Sequence, residues 1–263
     1  AQLPWRICYS YRDLTLAQKS RRAYINETPK LTDIQQRIVT DLHKTGYAVV
    51  SAADLLNTGE KKQAQALEEL TSHYRNSDFV KDKIKDYQQN PERNWKEYIV
   101  RLTHQSRTFS PEHALLQLGT SQALLNTANA FLGLYSKLKY TDIWLTLPSQ
   151  TPQEKMGSQR WHRDTEDRRL LKIFYYMTDV TPENGAMEYI PASRPGHKYA
   201  HLIHTGQTGA KFNNYPDQSR VEKNVPKNER VSCAAPKGHF IFCNTWICFI
   251  FSIIIIHHYI SNI

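Results

Sequence analysis

Apolar residues recur every three or four positions through much of the first half of the chain, and polar residues fill the positions between them. Thr32 and Gln35 have the spacing of a capping box at the start of one such stretch, and Gly46 stands where a left-handed residue would end it. A strand is predicted directly after this helix, at Tyr47–Val50. Further helices are predicted at about residues 60–74, 112–118 and 122–132. The first half of the chain is therefore predicted to be mainly helical.

β-branched and aromatic residues dominate the apolar segments from Lys137 onward, which favours strands. The predicted strands span residues 138–147, 170–180, 186–190 and 239–243. The turn residues Thr181–Gly185 join the second of these strands to the third and predict a hairpin. Helices followed by antiparallel strands predict an α+β, mainly β fold, in which N-terminal helices buttress a β-sandwich or jelly roll.

The composition is that of an ordinary globular protein, because 40% of the 263 residues are hydrophobic and 22% are charged. The net charge of +9 suits an anionic small molecule or a weak attraction to nucleic acid, but most often such a charge reflects only a solvated basic surface. No motif that reads nucleic acid accompanies it, so no nucleic-acid partner is predicted. The four cysteines form no C-x-x-C pair and no signal peptide opens the chain, which predicts a cytoplasmic protein.

One of the eleven histidines has a carboxylate two positions further on, and this pair is His162 and Asp164. On an extended segment, residues i and i+2 project to the same side, so an imidazole and a carboxylate at this spacing can grip one cation. A borderline-hard ion such as Fe(II) accepts mixed nitrogen and oxygen ligands of this kind. Taken alone, H-x-D is a weak signal, and a surface histidine beside a solvated aspartate is the alternative interpretation.

The residues around this pair make the signal more specific. The matching residues are Gln159–Asp164, then 170–180, Asn184–Gly185 and Glu188–Arg194. In this order they resemble the phytanoyl-CoA dioxygenase family, and the helix and strand of Leu31–Val50 are similar to the family's opening elements. The resemblance implies a double-stranded β-helix (a jelly roll, cupin-like) with Fe(II) at its open end. It also implies 2-oxoglutarate as co-substrate, O2, and a small-molecule substrate.

The resemblance implies a third iron ligand as well, a histidine near Cys248, followed by an arginine that holds 2-oxoglutarate. Neither residue is present at its expected place, and no arginine follows Arg230. His257 and His258 are the downstream candidates for the third ligand, and His257 is the one predicted. Both stand several residues late, so weak or absent activity is expected.

The tail after Thr245 differs from the rest of the chain, since residues 246–263 contain no Gly, Pro, Lys, Arg, Asp or Glu. Its apolar core is shorter than the roughly 20 residues that a membrane-spanning helix needs, so no membrane partner is predicted. A shifted reading frame or a retained intron in AT-rich DNA would produce such a composition. The tail is therefore interpreted as aberrant, and the last strand of the β-helix is expected to be missing.

The predicted function is an Fe(II)- and 2-oxoglutarate-dependent dioxygenase (hydroxylase) of the phytanoyl-CoA dioxygenase type, with His162 and Asp164 as catalytic metal ligands. A non-catalytic β-helix binding scaffold is the second hypothesis, and a basic nucleic-acid-binding protein is the third. The predicted organisation is a helical and mixed region at 1–136, the oxygenase core at 137–245 and the aberrant tail at 246–263. Lys172 is interpreted as either a contact to an anionic co-substrate or a solvent-facing residue. The sequence predicts neither the substrate nor the oligomeric state.

Overall fold

A computed structural model describes residues 15–89, 98–105, 109–147, 159–164, 170–193, 196–203, 215–245, 250–251 and 258–261. Most of its helices lie in the first half of the chain. The helices are α1 (Leu16–Asn26), α2 (Asp33–Thr45), α3 (Ala52–Leu55), α4 (Thr58–Arg75), α5 (Asp78–Gln89), α6 (Ala114–Gly119), α7 (Gln122–Leu132) and α8 (Gln218–Asn224). Single turns of 3-10 helix occur at Leu102–Gln105, Pro191–Ser193, Ala200–Ile203 and Lys227–Glu229. No helix within the described ranges has the length and apolarity that crossing a membrane would require.

Helix α2 shows how local chemistry sets the ends of an element. The Thr32 hydroxyl accepts a hydrogen bond from the Gln35 backbone N–H, and the Gln35 side chain accepts one from the Thr32 backbone N–H. Gly46 has a φ of 86°, a conformation that costs glycine nothing, and its N–H donates to the carbonyl of Leu42. The predicted capping box and the predicted helix end are therefore both confirmed.

The strands form three antiparallel sheets. They are β1 (Tyr47–Ser51), β2 (Ile99–Arg101), β3 (Lys137–Tyr140), β4 (Trp144–Thr146), β5 (Leu170–Tyr175), β6 (Glu188–Tyr189), β7 (Val231–Ser232), β8 (His239–Cys243), β9 (Ile250–Phe251) and β10 (His258–Ser261). The main sheet has the order β1-β8-β5-β10-β3. A second sheet has the order β7-β6-β9, and β2 pairs with β4 in a third. The chain is thus a mixed α and β protein, as the sequence predicts at this level.

The two faces of the main sheet meet different neighbours. On one face, the Tyr175 hydroxyl donates to Glu68 of α4 at 2.5 Å, which ties the helical layer to β5. On the other face, Tyr47 of β1 packs its ring 5.4 Å from that of Tyr189 in the second sheet. Lys172 lies in register with Cys243, and Cys243 in register with Tyr47, so their side chains project to this second face. A lysine in the centre of β5 is therefore directed between the two sheets.

The predicted hairpin between residues 170–180 and 186–190 is wrong. Strand β5 ends at Tyr175, and β6 pairs with β7 and β9 in the second sheet. The Asn184 side chain accepts a hydrogen bond from the Thr181 N–H and donates one to the Asp179 carbonyl. This turn carries the chain from one sheet to the other, which local turn chemistry alone does not reveal.

The predicted strand at residues 138–147 is divided into β3 and β4. Asp142 lies between them, and its buried carboxylate accepts hydrogen bonds from the Ile143 N–H at 2.8 Å and the Trp144 indole at 3.0 Å. Arg101 and Thr103 also donate to it. A carboxylate that accepts hydrogen bonds from the two residues after it turns the chain, and β4 then pairs with β2, a strand that the sequence pattern did not predict.

Two regions outside residues 137–245 contribute strands to these sheets. Strand β1 pairs with β8, and β10 lies between β5 and β3. The expectation that the tail would leave the last strand missing therefore differs from the structure. An isoleucine-rich segment pairs readily with the unsatisfied N–H and C=O groups of open sheet edges. The division into residues 1–136, 137–245 and 246–263 stays a prediction.

Candidate metal centre

The segment that carries the H-x-D pair lies beside the end of β8. The Asp164 backbone N–H donates to the carbonyl of Thr245 at 3.2 Å. Trp161, which precedes the pair, is buried and packs with Val221 and Val225 in a second apolar cluster. The extended segment is thus held at both ends by elements distant in sequence, and His162 and Asp164 share one side of it.

His162 is fixed by a backbone carbonyl. Its Nδ1 lies 2.7 Å from the carbonyl oxygen of Arg160, so Nδ1 carries the proton and Nε2 is the nitrogen whose lone pair could bind a cation. The ring of Tyr215 stacks on the imidazole, with centroids 5.5 Å apart and planes inclined by 29°. The imidazole is therefore restrained both in its plane and against its face, as a metal ligand requires.

The Asp164 carboxylate is buried, and each of its oxygens faces a different basic side chain. Its Oδ1 lies 4.0 Å from His162 Nε2, and its Oδ2 lies 2.7 Å from Lys172 Nζ. Burial raises the pKa of Asp164, but the Lys172 ammonium and then His162 lower it by more, so the pKa lies below its ordinary value. The carboxyl group is thus kept ionised at neutral pH in a position where only 9% of its side chain is exposed.

The two donors fit a shared cation. Two ligands at right angles on an ion with bonds of about 2.1 Å lie about 3 Å apart, so Oδ1 and Nε2 need to approach each other by only about 1 Å. Imidazole nitrogen with carboxylate oxygen is the donor set of mononuclear iron oxygenases. The geometry therefore suits Fe(II) or a similar divalent ion, held by one nitrogen and one oxygen.

The remaining predicted site residues are not brought to this pair by the described part of the chain. His257 lies outside the described residues, and His258 is the first residue of β10, in register with Ile173. Within the ranges given above, no three His, Cys, Asp or Glu residues form a group that could hold a metal ion. Of the histidines shortly after the family segment, His197 and His201 are exposed, and His204 lies outside the described residues.

Comparison with known proteins decides the family. The sequence model of the phytanoyl-CoA dioxygenase family matches residues 42–249, which is most of the chain and includes both His162 and Asp164. The chain belongs to the phytanoyl-CoA dioxygenase family. The resemblance predicted from the sequence is confirmed, and with it the enzyme class, a non-haem oxygenase dependent on iron and 2-oxoglutarate. Among curated proteins, the comparison finds no match.

Solved structures support the same fold for this phytanoyl-CoA dioxygenase family member. The epimerase SnoN, crystallised with Fe3+, α-ketoglutarate and a nogalamycin compound, matches with a TM-score of 0.52 at 16% identity, over 87% of this chain and 84% of SnoN. EctD from S. alaskensis with bound Fe matches with a TM-score of 0.50 at 16% identity, over 89% of this chain and 79% of EctD. At this identity, the likeness establishes a common fold and leaves the substrate open.

Sequence reasoning missed several residues that shape the site of this family member. The interpretation of Lys172 as solvent-facing is wrong, because 7% of its side chain is exposed. A signal was present, since Lys172 interrupts an otherwise apolar strand whose six residues are all buried, a pattern typical of strands covered on both faces. Tyr215, which stacks on His162, and Gln218, whose side chain hydrogen-bonds to the Trp161 backbone, carry no such signal, because they lie more than fifty residues further along the chain.

Proposed function

We propose that this chain is an Fe(II)- and 2-oxoglutarate-dependent dioxygenase that hydroxylates a small organic substrate, with iron bound by His162 and Asp164. The observation that carries the proposal is the buried pair of donors, with Nε2 of His162 facing Oδ1 of Asp164. Family membership supports the same chemistry. The main sheet and the β7-β6-β9 sheet would be the two halves of a jelly roll, with this pair at one end.

The residues of the chain would hold the metal and orient the groups around it, and the metal would supply the oxidising chemistry. When bound, Fe(II) together with 2-oxoglutarate and O2 provides the oxidising power that removes hydrogen from an unactivated C–H bond. His162 contributes a neutral nitrogen whose direction is set by the Arg160 carbonyl. Asp164 contributes one negative charge, and the Tyr215 ring covers one face of the imidazole and limits the access of water to it.

A third protein ligand would complete a facial triad and leave positions for the co-substrate and O2. We assign this role to His257, the candidate predicted from the sequence, with His258 as the alternative. Strand β10 lies directly beside β5, the strand of Lys172, and it begins at His258, the residue after His257. The position of β10 supports a third ligand from this part of the tail. The family pattern places this ligand earlier in the sequence, near Cys248.

The function is tested by anaerobic titration of the purified protein with Fe(II) and 2-oxoglutarate. We expect a visible absorption band that needs both additions, and we expect His162→Ala to abolish it. His201→Ala is the matched control, because His201 is exposed and lies outside the site, and this variant should keep the band. A band of equal strength in His162→Ala would contradict the assignment.

A non-catalytic binding scaffold is the second candidate. It is favoured by the absence of any arginine after Arg230, since the family holds 2-oxoglutarate with an arginine in that region. A wild-type protein that binds Fe(II) but shows no band with 2-oxoglutarate, and that forms no succinate in air, would favour the scaffold. A cytoplasmic location and the absence of a nucleic-acid partner stay predictions in either case.

A further inference from the structure

Lys172 is a buried charge that sits directly beside a proposed metal ligand. Its ammonium lies 2.7 Å from Oδ2 of Asp164, and both side chains are more than nine-tenths buried. Lysine is rarely buried, because removing its charge from water costs free energy unless a partner compensates. Of the lysines in the described ranges, Lys172 is the one that is buried. Lys172 therefore needs a role other than that of a solvated surface charge.

The two oxygens of Asp164 have different surroundings. Oδ2 is engaged by Lys172, whereas Oδ1 is turned toward His162 Nε2 at 4.0 Å. The backbone of Asp164 is anchored separately, by its N–H to the Thr245 carbonyl. With both its backbone and one oxygen held by neighbouring strands, the carboxylate has a single oxygen directed at the position of a cation.

We propose that Lys172 is a positioning residue that makes Asp164 bind the metal through Oδ1 alone. The inference rests on the proposed function. A carboxylate that binds with both oxygens takes up one more coordination position, and this position is then lost to the co-substrate or O2. By holding Oδ2, Lys172 keeps that position open. It touches neither the metal nor the co-substrate in this role.

The ratio of the affinities for two different metal ions reports this role, and it can be measured without enzyme turnover. Ca2+ takes six to eight oxygen ligands and accepts carboxylates that bind through both oxygens, whereas Mn2+ favours an octahedral site. Freeing Oδ2 should therefore favour Ca2+ over Mn2+. A lysine that only balanced charge would change the affinities for both divalent ions by the same factor, because both carry the same charge.

The experiment measures the Kd of Mn2+ and of Ca2+ by calorimetry for the wild-type protein and for Lys172→Met, Lys172→Arg and His162→Ala. We expect Lys172→Met to shift the ratio of the two Kd values toward Ca2+ by about 10-fold or more, the usual size of an effect on a ligand's partner. Lys172→Arg should keep the wild-type ratio, because a guanidinium can donate to the same oxygen. If Lys172→Met does not fold, Lys172→Leu, which likewise has no hydrogen-bond donor, is judged by the same ratio.

The outcomes separate the two proposals. A ratio that stays at the wild-type value in Lys172→Met, in a protein whose Mn2+ binding depends on His162, overturns the role of Lys172 and leaves the proposed function standing. Mn2+ binding that is equal in the wild type and His162→Ala overturns both. A ratio that shifts in Lys172→Met but stays at the wild-type value in Lys172→Arg supports the positioning role.

Discussion

At the scale of single residues, two buried carboxylates in the described part of the chain are each matched to donors or to an opposite charge. Asp164 has Lys172, and Asp142 has Arg101 and Thr103 together with the Trp144 indole and a backbone N–H. Such sites are sensitive to the loss of one partner, since the other partners then stay buried without compensation. The same substitution on the surface has little effect.

Asp142 provides a direct test of this contrast. We expect Asp142→Asn to lower the free energy of unfolding by roughly 2 kcal/mol, because the amide NH2 that replaces one carboxylate oxygen cannot accept a hydrogen bond from the donors around it, the Trp144 indole among them. Asp78→Asn is the matched control, since Asp78 is 96% exposed where it pairs with Lys81 at 3.3 Å, and it should change stability by less than about 0.5 kcal/mol. Chemical denaturation of both variants measures the difference. Equal effects at the two positions would contradict it.

At the scale of elements, helix α8 acts as a support for the H-x-D segment. The Gln218 side chain accepts a hydrogen bond from the Trp161 N–H at 2.6 Å and donates one to the Trp161 carbonyl at 3.0 Å, as the backbone of a neighbouring strand would. Glu222, one turn along α8, accepts a hydrogen bond from the Trp161 indole at 2.9 Å. The residue before His162 is thus held by both its backbone and its side chain.

This support predicts an effect on metal binding. Gln218→Ala should lower the free energy of unfolding by about 1–3 kcal/mol, because the two polar groups of Trp161 lose their partner. It should also weaken Mn2+ binding, since His162 is no longer held in place. Calorimetry and chemical denaturation measure the two quantities.

Gln65→Ala is the matched control for Gln218→Ala, because Gln65 is an exposed glutamine that donates to Glu69 on the same helix. It should leave both stability and Mn2+ affinity near the wild-type values. Mn2+ binding that is unaffected in Gln218→Ala, in a protein destabilised as expected, would show that α8 stabilises the fold without directing His162.

At the scale of the whole molecule, the main sheet is assembled from strands far apart in sequence. Strand β1 comes from the N-terminal region and β10 from the tail, and each lies beside a strand from the region between them. The helical layer covers one face through Glu68 and Tyr175, and the second sheet packs on the other. The site lies on this second face, beside the end of β8.

The tail is therefore expected to contribute to stability. Ending the chain at Thr245 removes β10, which pairs with β3 on one side and, at four positions from His258 to Ser261, with β5 on the other; the β5 pairing alone sets the size of the effect. At about 1 kcal/mol for each hydrogen bond of the ladder, we expect the free energy of unfolding to fall by roughly 4 kcal/mol, together with aggregation through the open edge of β5. Thermal melts and size-exclusion chromatography test this. A shortened protein that is as stable and monodisperse as the full chain would contradict the pairing.

The sequence by itself determined the features that depend on neighbours within a few positions. The capping box of Thr32 and Gln35, the left-handed Gly46 and the strand at β8 could all be predicted, because each follows from contacts within one element. The juxtaposition of His162 and Asp164 could also be predicted, since an extended backbone places residues i and i+2 on one side.

Only the tertiary structure decided which partners these residues have. Lys172 and Asp164 meet because β5 runs beside β8, and Thr245, two residues after the end of β8, holds the backbone of Asp164. Gln218 reaches Trp161 across 57 positions of sequence. The hairpin prediction was wrong for the same reason, because turn residues give the direction of the chain locally but not the sheet that receives the next strand. Pairing between strands depends on packing over the whole core, and no local pattern contains that information.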